Sequence, residues 1–486
     1  MLSKFIKKLT LYVFTTKDDE QFYSFVKSLF FKSEQDPYLT TLVDCTHLGL
    51  KRWNVELLFS LLGISKAHNR KFIAFYPSYF FVWNTLQSKA IWIFKKIHNK
   101  DNRLFELFCM SEKISPSYSN FLFSNKLSYD FYSKDDLLNF KYKDIKLGDI
   151  IYDSYLKENK KATVDVKSKK LARIVERTCF LVDCYEQEFL KYGVQEFYVT
   201  HATYICFGAA VRVALKYKIK VFVTHSTRYT EFHQLSEEHP LQTPNFKIYK
   251  QLFDKLENTD VCLEEAKQQL EDRFRGAIDP SIAYMKESAY GDEDSSIGCI
   301  SDNTDNLIIM LHCFFDSPHI YKSMLYPDFY EWVVDTIEVA LGAGKAVFIK
   351  EHPNGILGNN EIVAELKKNF SNVTFLEKTT SNLAIMKCKI DAVATVYGTI
   401  GHEFSYHNIP VINAGDNPHS AFNFCYNPSS REQYQKLIMD VGSLKKPTNS
   451  DKIDILKFYY IHNLYNGKGV NSLMIKKISK KFGFRD

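Results

Sequence analysis

The chain has 486 residues, 63 Lys and Arg against 57 Asp and Glu, and a formal net charge of +6, with 45% hydrophobic and 25% charged side chains. Those fractions are those of a globular protein and exclude a disordered or fibrous chain, and the length predicts two or three domains. With only 11 of the basic residues being Arg and no Arg-rich stripe, no nucleic-acid partner is expected.

Aromatic residues are abundant, with 39 Phe, 30 Tyr and 4 Trp, while Gly is scarce at 19. The ten cysteines form no CxxC pair and no zinc-type Cys/His cluster, and most sit in apolar runs, a reduced, cytoplasmic pattern. The apolar run 9–14 after Lys4, Lys7 and Lys8 is too short for a signal segment. The stretch 80–94 is interrupted by Asn84, Gln87, Ser88 and Lys89, short of a bilayer span. The protein is therefore expected to be neither exported nor integral to a membrane. At the other end, Lys476, Lys477, Lys480, Lys481 and Arg485 alternate with Ile475, Ile478 and Phe482. That pattern suits either a solvated last helix or contact with an anionic membrane surface.

In chain order, 41–44 reads as a strand, 55–62 as a helix and 71–76 as a strand, while 100–165 is polar and irregular. Apolar Leu171, Ile174, Val175, Phe180, Leu181, Tyr185 and Leu190 predict a long amphipathic helix over 169–192. A strand (196–200), a helix (206–217) and a strand (220–224) follow, and such β-α-β alternation predicts a parallel sheet. The Gly-, Ser- and Asp-rich region 275–305 reads as a linker. Beyond it the alternation restarts, with strands at 307–311, 346–350, 373–376, 392–396 and 411–413. Helices are expected between them at 329–341, 361–370, 383–387 and 399–406, and after them at 432–441 and 453–464. Two Rossmann-like α/β domains facing a central cleft are the expected architecture, with ligands at the carboxyl ends of the strands.

Polar residues concentrate after those later strands: His312, Asp316 and His319; Lys350, His352 and Pro353; Tyr397, Gly398, Thr399, Gly401, His402 and Glu403; Asn417 and His419. Four of the five strand ends carry histidine and the strands carry none, which points to a function for the group. The spacings His312/His319 and His402/His407 match neither HxxxH nor HExxH, so no metal is expected. Tyr397-Gly398-Thr399-Ile400-Gly401 places two glycines and a hydroxyl where a strand turns into a helix. Such a turn presents backbone N–H groups to a phosphate, and Lys350 and His352 can add charge-assisted hydrogen bonds. Close helix–strand packing is the other reason for glycines there. Neither GxGxxG nor a Walker A loop is present, which disfavours a dehydrogenase. Phe314, Phe315, Tyr321, Tyr326, Phe329, Tyr330, Tyr397, Phe404 and Tyr406 crowd the same segments and are expected in part to line the site.

The string Lys350-Glu351-His352-Pro353, then Thr399-Ile400-Gly401-His402-Glu403-Phe404 and Ile409-Pro410-Val411-Ile412, resembles bacterial capsule and lipopolysaccharide polysaccharide-synthesis glycosyltransferases of the GT-B fold. The resemblance spans about 305–425; Thr399 stands where the pattern often has Ser, and Asn408 where it often has Gly. It implies that His352 contacts the donor phosphate, Thr399 the phosphate or nucleotide, and Glu403 the ribose or base. Lys350, Pro353, Tyr397, Gly398, Gly401, His402, Asn417 and His419 complete the implied nucleotide-sugar site. It also implies metal-independent transfer, with the nucleotide-sugar a substrate rather than a cofactor.

On this reading residues 1–290 form an acceptor-side domain, 291–450 the nucleotide-sugar-binding domain, and 451–486 closing helices with a basic end. The donor would be a CMP-linked acidic sugar of the sialic or Kdo type, or a UDP-sugar; the acceptor a glycan or lipid-linked glycan at the inner face of the cytoplasmic membrane. Candidates for base or nucleophile are Asp44 and His201, each at a strand end in the first half, and Asp316 and His319 in the second. His47 and His225 are placed similarly, and 148–155 is a polar-aromatic string suited to an acceptor groove or a packed loop. The alternatives are a nucleotide-sugar epimerase or hydrolase of the same fold, and a non-catalytic glycan-assembly protein.

Overall fold

The computed structural model describes residues 39–44, 70–75, 112–116, 120–121, 129–226, 229–243, 245–278, 288–290, 304–321, 323–352, 358–465 and 470–471. The expected helix 55–62, His47, Pro353, the side chain of His225 and the basic stretch from Lys476 lie outside them. The chain divides into two compact units, one holding residues up to Glu158, Asp165–Pro244 and Asn466 onward, the other Asn159–Val164 and Asn245–Tyr465.

The strands of the first unit are β1 (Leu39–Asp44), β2 (Arg70–Phe75), β3 (Lys113–Ile114), β6 (Glu196–Val199), β7 (Lys220–Ser226), β8 (Tyr229–Gln234) and β14 (Val470–Asn471). A separate hairpin, β4 (Lys141–Tyr142) and β5 (Ile145–Lys146), turns through Lys143 and Asp144, both at positive φ. The seven-stranded sheet runs β14-β8-β7-β6-β1-β2-β3. It is parallel from β3 to β7, as the alternation predicts, while β8 and β14 form an antiparallel edge. β6 is buried along its whole length, as a central strand covered on both faces must be.

The helix Lys169–Tyr192 lies where the spacing of apolar residues places it. Ser168 Oγ accepts from the Lys170 N–H, and Gly193, at φ 58°, closes the other end as its N–H donates to the Leu190 carbonyl. Its inner stripe stacks Tyr185 against Phe75 and Phe189. Residues 148–155, read as groove or loop, instead belong to the helix Gly148–Asn159, whose first turns are buried. Polar letters there satisfy internal partners: Ser154 Oγ donates to the Ile150 carbonyl, and Asp149 pairs with Arg212 at 2.5 Å.

The second unit holds β9 (Asn306–Met310), β10 (Ala346–Lys350), β11 (Thr374–Phe375), β12 (Ala392–Thr395) and β13 (Val411–Asn413), all parallel in the order β11-β10-β9-β12-β13. Alternate residues feed two cores, Leu307, Ile309 and Leu311 into one and Ile308 and Met310 into the other. Helices therefore cover both faces. One core is centred on Trp332, whose indole N–H donates to Tyr434 Oη at 2.8 Å. The other gathers helices Tyr249–Asp254, Thr259–Phe274 and Asn449–Tyr459 around Phe253, Phe274 and Phe458. Residues 245–274 thus pack into the second unit, and the division falls at Asn245, ahead of the region 275–305 read as a linker. Among the described residues no helix is long and apolar enough to cross a membrane.

Candidate functional site

From β9 the chain steps outward through β10 to β11, then returns to the other side of β9 for β12 and β13. The carboxyl ends of β9 and β12 therefore diverge, and open parallel sheets place ligands at such a switch point. A pocket of about 200 Å³ lies there. Met310, Leu311 and His312 line it from β9, Lys350, Glu351 and His352 from β10, and Thr395, Tyr397, Gly398 and Thr399 from β12. Ile400 and Glu403 reach it from the helix Ile400–Tyr406.

Lys350 is 2% exposed, and among the described residues its ammonium makes only long contacts, 3.5 Å to the carbonyls of Glu351 and Lys378. Neighbouring charges are committed elsewhere: Glu351 lies 3.2 Å from Lys378, and Glu403 pairs with Arg273 at 2.5 Å. Burial lowers the Lys350 pKa to about 8, against a smaller upward pull from Glu351. A buried cation without a carboxylate partner is costly, and an anion entering the pocket relieves that cost.

Glu403 is itself 1% exposed, one oxygen accepting from Arg273 Nε and the other from Tyr290 Oη at 2.6 Å. Burial pushes its pKa up, but Arg273, His402 and the hydrogen bonds from Tyr290 and Arg273 outweigh it and hold the carboxyl below its usual range. Glu403 is thus an ionised acceptor at the pocket wall, already bound on both oxygens.

His312 Nε2 accepts the backbone N–H of Val396 at 3.2 Å and of Tyr397 at 3.4 Å, and the ring stacks on Phe329. Burial holds its pKa down to about 3, with His352 adding to the shift and Asp316 opposing it. It is therefore a neutral brace between β9 and the turn after β12. Asn417, wholly buried, braces that turn from the opposite strand end. Its Oδ1 accepts from the Gly398 N–H at 3.2 Å, and its Nδ2 donates to the Val396 and Gly415 carbonyls at 3.0 Å. Gly398 sits at φ 113°, a conformation that favours glycine.

The other histidines divide. His352 lines the pocket and is exposed, while His402 and His419 lie outside its lining, buried against Phe458. Gly401 meets the packing need: a Cβ there would lie 2.2 Å from the His419 ring. Asp316, exposed, caps its own loop through the Ser317 N–H at 3.1 Å, and with half-buried His319 it stands outside the pocket lining. Of the nine aromatics singled out, Tyr397 lines the pocket, whereas Phe314, Phe315, Tyr326, Phe329 and Phe404 fill the cores. Asp44 and His201 belong to the first unit. Sequence reading passed over Arg273, Tyr290, Ser288, Ala289 and Asn382, all beside the pocket or on Glu403. Their partners are remote in sequence, 130 residues for Arg273 and Glu403, and no local pattern marks such a pair.

No protein-family model and no curated protein sequence matches the chain. Among solved structures it is similar to the UDP-GlcNAc 2-epimerase from Neisseria meningitidis bound to UDP-GlcNAc, with 13% identity over 91% of this chain and 99% of that one and a TM-score of 0.26. It is similar to the Methanocaldococcus jannaschii UDP-GlcNAc 2-epimerase in complex with UDP-GlcNAc and UDP, at 11% identity, 86% and 97% coverage and a TM-score of 0.25. A third is the glycotransferase of kitacinnamycin, at 10% identity, 92% and 100% coverage and a TM-score of 0.26. The chain is an α/β protein with two mainly parallel sheets. Likeness of this order leaves ligand and reaction to be argued from the residues.

Proposed function

We propose that the protein is a glycosyltransferase whose second unit holds the phosphate of a nucleotide-activated sugar at the carboxyl ends of β9, β10 and β12. The observation that carries the reading is Lys350, a buried ammonium with no ion-pair partner among the described residues, which lines a pocket that also takes in the Tyr397–Gly398–Thr399 turn. Lys350 and His352 bind the phosphate, and the Thr399 hydroxyl, which makes no capping hydrogen bond to its own helix, is available to a third oxygen. Glu403, held ionised by Arg273 and Tyr290, accepts from a ribose or base donor at the same wall. The leaving nucleotide is stabilised by Lys350 rather than by a metal, and the acceptor is a surface-polysaccharide glycan.

Calorimetry with CMP, UDP, GDP and their sugar conjugates tests the reading. One nucleotide is expected to bind, and His352→Ala to weaken it about tenfold, in keeping with a lost charge-assisted contact. Affinity unchanged in both Lys350→Met and His352→Ala would remove the phosphate from this pocket. Turnover of the bound nucleotide-sugar with no acceptor would favour the epimerase or hydrolase alternative.

A further inference from the structure

Lys350 ends β10 as a buried side chain that still lines the pocket. The carbonyls of Glu351 and Lys378, each 3.5 Å from Nζ, are its hydrogen-bond acceptors among the described residues. A neutral amine carries two hydrogens and a lone pair. With the hydrogens turned to those two carbonyls, tetrahedral geometry points the lone pair away from both. The titratable groups around the pocket are engaged elsewhere: Glu351 with Lys378 at 3.2 Å, Glu403 with Arg273, and His312 with the N–H groups of Val396 and Tyr397. His352 completes the set just past the end of β10.

Lysines on the surface of the first unit show the opposite arrangement. Lys143 Nζ lies 2.6 Å from both Asp183 and Glu186, and Lys218 Nζ lies 2.8 Å from Glu237. Hydrogen bonds to those carboxylates raise both pKa values, so these amines stay protonated. Burial instead brings Lys350 down to about 8, so about one molecule in ten carries the free amine at pH 7. A desolvated lysine in its free-amine form is a nucleophile.

We propose that Lys350 is an acylation site, at which the pocket takes up a small acyl phosphate and the lysine amine accepts its acyl group. The choice of reagent rests on the phosphate reading of this pocket, in which His352 and the uncommitted Thr399 hydroxyl hold the phosphoryl oxygens beside the amine. The nitrogen lone pair attacks the acyl carbon and a C–N bond forms. The bond from that carbon to the phosphate oxygen breaks, and its electron pair leaves with the phosphate, which takes the proton shed by nitrogen. The products are an amide and inorganic phosphate. A pocket of about 200 Å³ admits a reagent the size of acetyl phosphate. An amide carries no charge, so acylation removes the cation proposed to hold the donor phosphate and closes the site to nucleotide.

Acetyl phosphate and acetic anhydride, each applied to the full-length protein, test this, with acetylation at Lys350, Lys143 and Lys218 followed by mass spectrometry of their peptides. Acetyl phosphate should modify Lys350 about tenfold faster than either surface lysine. Its rate should level off above about pH 8 while theirs still climbs. Inorganic phosphate should slow Lys350 and neither of the others. His352→Ala should slow acetyl phosphate at Lys350 about tenfold and leave acetic anhydride, which has no phosphate to bind, unchanged. Should that variant fail to fold, protection of the wild type by inorganic phosphate is read in its place. Lys350 acetylated no faster than Lys143 and Lys218 by either reagent overturns the proposal, and nucleotide calorimetry then still decides the phosphate reading by itself. Fast acetylation by the anhydride alone, without protection by inorganic phosphate, overturns the acyl-phosphate site and counts against the phosphate reading too.

Discussion

Lys350 sets two opposed demands on one side chain. As a buried ammonium that meets only carbonyls at 3.5 Å among the described residues it destabilises the fold, and on the proposed function it is the cation that would hold an anion. Lys350→Met should therefore raise the melting temperature, by an amount equivalent to about 1–4 kcal/mol, while abolishing nucleotide binding. A variant that binds normally, or one that melts lower, would mean the ammonium is structural. The pH dependence has a definite sign. Burial brings the free group to about 8, so above that pH the protein must first take up a proton to bind an anion. Affinity should fall about tenfold per pH unit beyond 8, and calorimetry at pH 7 and 9 in wild type and in His352→Ala, which keeps the lysine, should give the same slope in both. Lys350 and His352 were legible because strand end and motif coincide in four consecutive residues. Arg273 was not, because it is one polar letter on an amphipathic helix and takes its meaning from Glu403 across the fold.

At the scale of elements, the turn after β12 depends on contacts that close at a distance. Gly398 needs its positive φ, His312 and Asn417 hold the backbone on either side, and Gly401 lets the helix Ile400–Tyr406 seat on His419. Gly401→Ala should cost about 1–3 kcal/mol by overpacking, since the His419 ring is fully buried and has little room to retreat. Gly398→Ala meets no neighbouring atom and should cost about 1–2 kcal/mol through its dihedral alone. Combining Gly401→Ala with His419→Ala should recover part of the first loss and none of the second, as chemical denaturation can show. Strands and long helices were readable because their period is local: 169–192 matches its helix end to end. The helix Gly148–Asn159 was missed because its buried face carries Asp153, Ser154 and two tyrosines, polar letters that imitate a loop. Two glycines close together in one motif likewise have two different causes, and only the ring beneath Gly401 tells them apart.

Over the whole molecule, the histidines of the second unit make its stability depend on acid. Burial lowers the pKa of His312 to about 3 and of His402 to about 4, and places His419 well below the usual value. Neighbouring imidazoles add to the shift at His312 and His419 and Arg273 at His402, while Asp316 and Glu403 oppose it. In the unfolded chain each titrates near 6.5, so below that pH the unfolded state binds protons that the folded state refuses. The stabilisation is whole above about pH 6.5 and drains as pH falls toward 4, each histidine losing about 1.4 kcal/mol per unit. The Glu403 carboxylate, held low, adds its own loss only at still lower pH. One unit below the histidine range, three such groups sum to about 4 kcal/mol, a fall in melting temperature on the order of 10 °C for a unit of this size. Trp332, wholly buried in one of the two cores of that unit, reports the transition by fluorescence. Melts followed at pH 7.5 and 5.5 should separate by that amount, and His419→Gln should narrow the gap by about a third because one proton-refusing site is gone. Coincident melts at the two pH values would mean that the buried imidazoles find acceptors on protonation, and that the strand-end histidines are not the acid-labile part of this fold.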